Sequence, residues 1–305
     1  MITNPTVVVT GATSGIGQLA AIALARQGAH IVFTARNEAK AAATCAAIKA
    51  AAPDARVDVH YADFTSLDAV ARVAHEIAAR YERIDVLVNN AGLHAFEQRI
   101  TADGFSEMVG VNYLAPWLLT NILREKLASS APSRIVTVAS EASRRSGDLD
   151  PLRDICNTAA FTRLGSSRIY GQTKLMNIMF SMELARQLEG SGVTANCLCP
   201  GFNVTGLGRE LGFAAVLQGI LKALNIGNPQ HGAGIIVRLA SDPAFDRISG
   251  GYFSVKDAKP LVPAGAGNDV AARQALWSVT SELLAERLAI AVPGMATGAG
   301  NVSVT

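Results

Sequence analysis

Short apolar runs alternate along this chain with longer segments in which apolar residues recur every three or four positions. The runs are "TVVVT", "HIVFTA", "RVDVHYAD", "IDVLVNNAG", "RIVTVAS" and "VTANCLCPG". Between them lie 15–27, 37–51, a segment near 66–80, one near 104–128 and one near 170–189. Runs that are apolar at nearly every position suit strands buried on both faces, and the longer period suits helices that cover them. The alternation predicts an α/β protein built as a doubly wound parallel sheet with helices on both faces.

Two segments break the rhythm. Residues 141–169 mix charges with few apolar residues and read as a long excursion over the strand ends. Residues 202–229 set glycines around "FAAVLQGILKALNI". That composition reads equally as an apolar substrate flap, since lids combine flexibility with water exclusion, or as an ordinary surface helix. No Pro/Gly/Ser-rich linker divides the chain before residue 200, so one domain is expected over 1–290. The small residues of 291–305 read as a flexible C-terminal tail.

Composition sharpens this picture. Half of the 305 residues are hydrophobic and 17% are charged, ample for a large core and against disorder. The net charge of +2 comes from scattered residues, with no basic block to neutralise a phosphate backbone, so nucleic acid is not expected as a ligand. Cys45, Cys156, Cys197 and Cys199 lack zinc-ligand spacing; no metal is expected, and they read as buried thiols in a reducing compartment. "MITNP" runs straight into the first apolar run, without a signal-peptide core, and no run has the length of a membrane span. A soluble, cytoplasmic protein without membrane contact is expected.

The candidate chemistry starts between the first strand and the first helix. There "TGATSGIG" carries Gly11, Thr13, Ser14, Gly15, Ile16 and Gly17, spaced G-x-x-x-G-x-G. A dinucleotide pyrophosphate needs backbone N–H groups and a helix N-terminus at close range, and glycine removes the Cβ that would keep it away. At the end of the second strand an acidic residue would bind adenosine ribose hydroxyls, whereas Ala35, Arg36 and Asn37 offer a planar cation and no carboxylate. NADP(H) is therefore expected over NAD(H). Asp63, followed by Phe64, is placed either at the adenine edge or at the start of the next helix.

In "YGQTK" Tyr170 and Lys174 lie a turn apart on one helix face, with Asn177 and Ser181 continuing a polar stripe. A phenol titrates at about 10. A neighbouring ammonium favours phenolate, which would suit Tyr170 to general acid/base work near neutrality.

Together these stretches resemble the short-chain dehydrogenase/reductase family. "TGATSGIG", "NNAG" at 89–92, "VNYLAP" around Asn112, Ser140 after "IVTVA", "YGQTK" and "PGFNVT" at 200–205 stand in the family's order across 6–255. Within it the chain is most similar to the retinol dehydrogenase and protochlorophyllide reductase branch, through "YGQTKLMNIMFSMELARQL", "RISGGYFS" and "AARQALWSVTSELLA". The resemblance implies a single-domain Rossmann fold. It also implies a catalytic tetrad of Asn112, Ser140, Tyr170 and Lys174. Ser140 would bond the substrate oxygen, Lys174 would hold the nicotinamide ribose, and Asn112 would position a water that relays protons to Lys174. Asn89, Ala91 and Gly92 would line the adenosine side, and Pro200, Gly201 and Thr205 the nicotinamide.

The interval between Ser140 and Tyr170 is long for the family, which leaves the substrate opening and the usual dimer face undetermined. The implied function is an NADP(H)-dependent oxidoreductase that interconverts an alcohol with a ketone or aldehyde on a bulky, largely apolar small molecule. A carbon-carbon double bond reductase shares cofactor and tetrad, and a non-catalytic NADP(H)-binding sensor is the reading from a different class. The helices near 104–128 and 170–189 could pair into a homodimer, or 141–169 could cover them and leave a monomer.

Overall fold

The computed structural model describes residues 4–201 and 228–288. Its first half is the expected alternation: β1 (Thr6–Val9), α1 (Gly15–Arg26), β2 (His30–Ala35), α2 (Glu38–Ala51), β3 (Val57–Tyr61), α3 (Leu67–Arg80) and β4 (Val86–Asn89). Side chains supply the helix starts. Asn37 accepts the Lys40 N–H at 2.9 Å to cap α2, and Ser66 accepts that of Ala69 to cap α3. Asp63 is thus not the cap of α3; it accepts the Thr65 N–H in the turn before it.

The segment expected as one helix over 104–128 is instead a short turn, Glu107–Val109, a π-helical turn, Gly110–Leu114, and α4 (Ala115–Ser129). The cause is in the sequence. Pro116 has no N–H to offer the Asn112 carbonyl one turn back, and the Ala115 N–H closes on the Gly110 carbonyl instead. β5 (Ser133–Val138) follows, then a 3-10 turn, Glu141–Arg145, and α5 (Pro151–Cys156). α6 (Arg163–Gln187) begins two turns before Tyr170, because Thr162 caps it through the Gly165 N–H. The polar first turns of α6 conceal that start from a hydrophobic pattern. The described chain ends with β6 (Val193–Cys199), α7 (Pro229–Ser241), β7 (Tyr252–Ser254) and α8 (Val270–Leu288). The flap expectation over 202–229 lies outside the described residues except for its last two, which cap and open α7. The tail expectation over 291–305 lies outside them entirely.

All seven strands are parallel, in the order β3-β2-β1-β4-β5-β6-β7. Successive strand residues face opposite sides. Val7, Val9, Ile31 and Phe33 enter the core under α1, α2 and α7, while Val8, Val32 and Leu87 enter the one under α3, α4, α6 and α8. The chain leaves β1 toward β2 on one side and returns to β4 on the other. The carboxyl ends of β1 and β4 therefore flank the crevice where such sheets bind ligands.

Helices α4 and α6 lie side by side, where Arg124 Nη1 donates to Gln187 Oε1 at 3.0 Å. α8 lies on them: the Trp277 ring centroid is 5.2 Å from that of Trp117 and 5.8 Å from that of Phe180, and the Tyr113 and Thr280 hydroxyls bond at 2.7 Å. Among the described residues no helix is long and apolar enough to cross a membrane. Cys197 and Cys199 are buried, but Cys45 is half-buried and Cys156 exposed, which corrects the reading of all four as interior thiols. Short apolar windows do not reveal which helix face a cysteine occupies.

Candidate active site

The crevice starts with the turn after β1. Gly11 has a φ of +67°, and a Cβ there would stand 2.8 Å from the Ala91 Cα, so this turn touches the one after β4. A Cβ on Gly17 would overlap the Asn90 amide and lie 2.6 Å from the Gly11 carbonyl. Asn90 Nδ2 donates to the Thr10 and Gly11 carbonyls at 2.9 and 3.1 Å, and the Thr10 hydroxyl oxygen accepts the N–H groups of Asn90 and Ala91. The two turns are thereby sewn into one cradle. Ser14 opens α1 in extended conformation without a side-chain cap bond, and the first turn carries no acidic side chain. The early N–H groups around Gly15, Ile16 and Gly17, beside Thr13, suit an anion. Arg36 is exposed at the end of β2, next to the capping Asn37. A cradle with no room for a Cβ at Gly11 or Gly17 and a helix start without acid fit the pyrophosphate of a dinucleotide.

Not every residue expected to line this cradle does so with its side chain. Asn89 turns into the core, where Nδ2 donates to Thr120 Oγ1 at 2.8 Å; its neighbour Asn90 makes the cradle contacts. In a strand end, adjacent residues face opposite ways, and "NN" does not say which one faces the crevice. Phe64 is buried in the core against α3, so only its backbone is placed near Asp63 at the rim. Thr205 lies outside the described residues, while Pro200 and Gly201 stand at the end of β6.

The catalytic candidates converge beyond β4 and β5. Lys174 is buried, and its Nζ donates to the Val138 carbonyl at the end of β5 at 2.9 Å. A Cβ on Gly92 would lie 3.6 Å from that Nζ and 3.3 Å from Asn112 Oδ1, so glycine lets the post-β4 turn close on both side chains. Asn112 sits in the π-helical turn, fully buried. Its Nδ2 donates to the Leu93 carbonyl at 2.8 Å and to Thr173 Oγ1 at 3.1 Å, and its Oδ1 accepts the Leu93 N–H at 2.8 Å. The side chain is thus committed to holding the turn, and Pro116 cannot give the Asn112 backbone carbonyl the N–H an ordinary helix would.

Ser140 caps the 3-10 turn by accepting the Ala142 N–H at 3.1 Å, a bond that leaves its own hydroxyl hydrogen unspent. α6 approaches this turn closely: a Cβ on Gly171 would stand 2.5 Å from the Ala142 carbonyl. The glycine beside Tyr170 is what brings the helix bearing it against the turn bearing Ser140. Glu141 steadies that turn from the other side, accepting from the Tyr252 hydroxyl at 2.9 Å and from Arg144 Nε at 2.7 Å.

Lys174 Nζ lies 5.7 Å from the centroid of the Tyr170 ring. The expected lowering of the phenol by this ammonium is not what the structure gives. Desolvation pushes the Tyr170 phenol above its ordinary range and pulls the Lys174 ammonium down to about 8. The buried Cys199 thiol nearby is also pushed up by desolvation, and Cys197 to about 12, which leaves both as inert thiols.

Residues 5–150 match the short chain dehydrogenase family. Human retinol dehydrogenase 13 is 36% identical over 288 residues, 93% of this chain and 85% of that protein. The chain belongs to the short-chain dehydrogenase family. Human retinol dehydrogenase 14 is 34% identical, with 92% of this chain and 86% of that one covered. Among solved structures, a protein described as an NAD(P)-dependent gluconate 5-dehydrogenase from Beutenbergia cavernae, with NADP bound at low occupancy, superposes with a TM-score of 0.64 at 29% identity over 83% of this chain and 96% of its own. This short-chain dehydrogenase is accordingly an oxidoreductase that takes a nicotinamide cofactor.

Its site also holds residues that the motifs did not single out: Thr10, Asn90, Leu93, Gly171, Thr173 and His94. Four of them, Thr10, Asn90, Gly171 and Thr173, stand inside the quoted motifs, so the signal was present without a role attached. His94 carries no signal of a role at the site, because Ser166 and Tyr170, which it meets on α6, stand 72 and 76 positions further along the chain.

Proposed function

We propose that this short-chain dehydrogenase is an NADP(H)-dependent oxidoreductase that interconverts an alcohol and a ketone or aldehyde on a bulky, largely apolar small molecule, with Tyr170 as general acid/base. The observation that carries the reading is the desolvated Tyr170–Lys174 pair set by Gly171 against the Ser140 turn. Bound nicotinamide supplies or accepts the hydride. In reduction Tyr170, held neutral by desolvation, gives its proton to the substrate oxygen, and Ser140 donates a hydrogen bond to that oxygen as charge develops there. In oxidation the same phenol must lose its proton. Lys174 and the positive charge of the oxidised cofactor favour the phenolate against desolvation. Lys174 holds the cofactor ribose by exchanging its bond to Val138, and the Asn112 carbonyl supports proton return toward Lys174.

Arg36 carries the preference for NADP(H), through a planar donor fork to the additional phosphate. Named relatives that act on retinol support an apolar alcohol as substrate class. Four free thiols support a reducing, cytoplasmic setting. The apolar seam between α8 and the α4/α6 pair supports a single-chain working unit.

The test is NADPH oxidation with decanal, menthone, retinal and carvone, with NADH and Tyr170→Phe as paired controls and products identified by chromatography. Alcohol products, preference for NADPH and no turnover by Tyr170→Phe are expected. Reduction of carvone at its ring double bond with its carbonyl intact would replace the carbonyl reading by double bond reduction. Turnover retained by Tyr170→Phe would overturn the assignment of the acid/base.

A further inference from the structure

His94 follows the post-β4 turn and lies against the catalytic face of α6. Its imidazole stacks on the Tyr170 ring with centroids 4.7 Å apart and planes 19° from parallel. The Phe96 ring contacts the same imidazole at 4.7 Å and 34°. Nε2 of His94 is 3.1 Å from the hydroxyl oxygen of Ser166, which is fully buried. Ser166 has one hydroxyl hydrogen, and it goes to the Arg163 carbonyl at 2.6 Å. The remaining bond must then run from His94 Nε2–H to Ser166 Oγ, which places a proton on Nε2.

This arrangement sets the plane of the imidazole. A ring N–H donates in the plane of its ring, and Ser166 and Tyr170 stand one helical turn apart on the same face of α6. An imidazole anchored at Ser166 therefore lies along that face, flat against the phenol. Tyr170 is half-buried at the crevice and has two side-chain torsions to restrain; Lys174 sits 5.7 Å from its ring centroid. A proton donor must keep its hydroxyl within hydrogen-bond reach of the substrate oxygen, and a displacement of about 1 Å can lower a rate by about 100-fold.

We propose that His94 is a positioning residue for the proton donor: anchored by Ser166, its stacked ring holds the Tyr170 phenol in the reactive rotamer. This rests on Tyr170 being the acid/base.

The test uses the full chain and compares wild type with His94→Ala, His94→Phe and Tyr170→Phe in NADPH-dependent reduction of decanal, together with the NADPH Kd from fluorescence quenching and the solvent deuterium effect on kcat. Wild-type turnover that Tyr170→Phe abolishes secures the reading beneath; turnover that survives in Tyr170→Phe removes that reading and this proposal with it. With the reading secured, His94→Ala should lose about 10-fold in kcat, keep its NADPH Kd, and gain a larger solvent effect as proton transfer becomes limiting. His94→Phe keeps the flat ring but not the bond to Ser166, so it should recover part of kcat and fall short of wild type by the worth of that anchor. Unchanged kcat in His94→Ala, a parallel loss of NADPH binding, or no recovery in His94→Phe would each overturn the positioning role while leaving Tyr170 in place.

Discussion

Replacing Lys174 by Met should stabilise this enzyme at neutral pH while removing its activity. The ammonium is buried, donates to Val138 and is pulled down to about 8 from an ordinary 10.5. At about 1.4 kcal/mol per pH unit, keeping it charged in the folded state at pH 7 costs about 3 kcal/mol. Met fills a similar volume without charge but abandons the hydrogen bond to Val138, a loss of about 1.5 kcal/mol. Lys174→Met should therefore be more stable by about 1–2 kcal/mol at pH 7.

The pH dependence separates this reasoning from a packing effect. The folded pKa lies below the unfolded one, so between about 8 and 10.5 the unfolded chain holds more protons on this lysine, and the wild-type stability gains from rising pH through that window. Other groups titrate in both proteins and cancel in the difference. The advantage of Lys174→Met should shrink above pH 8 and reverse by about pH 10, where a neutral lysine keeps its bond to Val138. Urea unfolding of the cofactor-free proteins at a series of pH values, with equal m-values, gives the difference directly. A variant less stable than wild type at pH 7, or a difference that does not move with pH, would refute the desolvation account. The same variant should lose at least about 100-fold in kcat for carbonyl reduction, since no ammonium remains to assist the phenol.

Arg36→Glu should lower kcat/KM with NADPH by about 10- to 100-fold, the worth of a charge-assisted bond, and leave NADH less affected; an unchanged cofactor ratio would refute the role of Arg36. Gly17→Ala should drive a methyl into the Asn90 amide and the Gly11 carbonyl, destabilise the fold by about 1–3 kcal/mol and weaken NADPH binding at least about 10-fold by calorimetry. Trp277→Ala should lower unfolding stability by about 3 kcal/mol and, by uncovering Trp117 and Phe180, convert a monomer in light scattering into an associating species. Persistent dimer in the wild type would show that α8 leaves another face for pairing.

Much of the site was open to reading along the chain because its causes are local. A glycine permits a close approach wherever it stands, Pro116 withholds an N–H from Asn112 in any helix, and Tyr170 and Lys174 share a face by spacing alone. The same locality produced the alternation of buried strands and covering helices, hence a doubly wound sheet. Tertiary structure decided what depends on distant partners. It assigned the crevice to Asn90 and the core to Asn89, laid α8 over α4 and α6, and stacked His94 on Tyr170. It also turned the shift of the phenol upward, where spacing to Lys174 alone points downward. A nearby charge can be inferred from spacing, but desolvation is the summed exclusion of water by every element packed around a group, and no short stretch of sequence contains that sum.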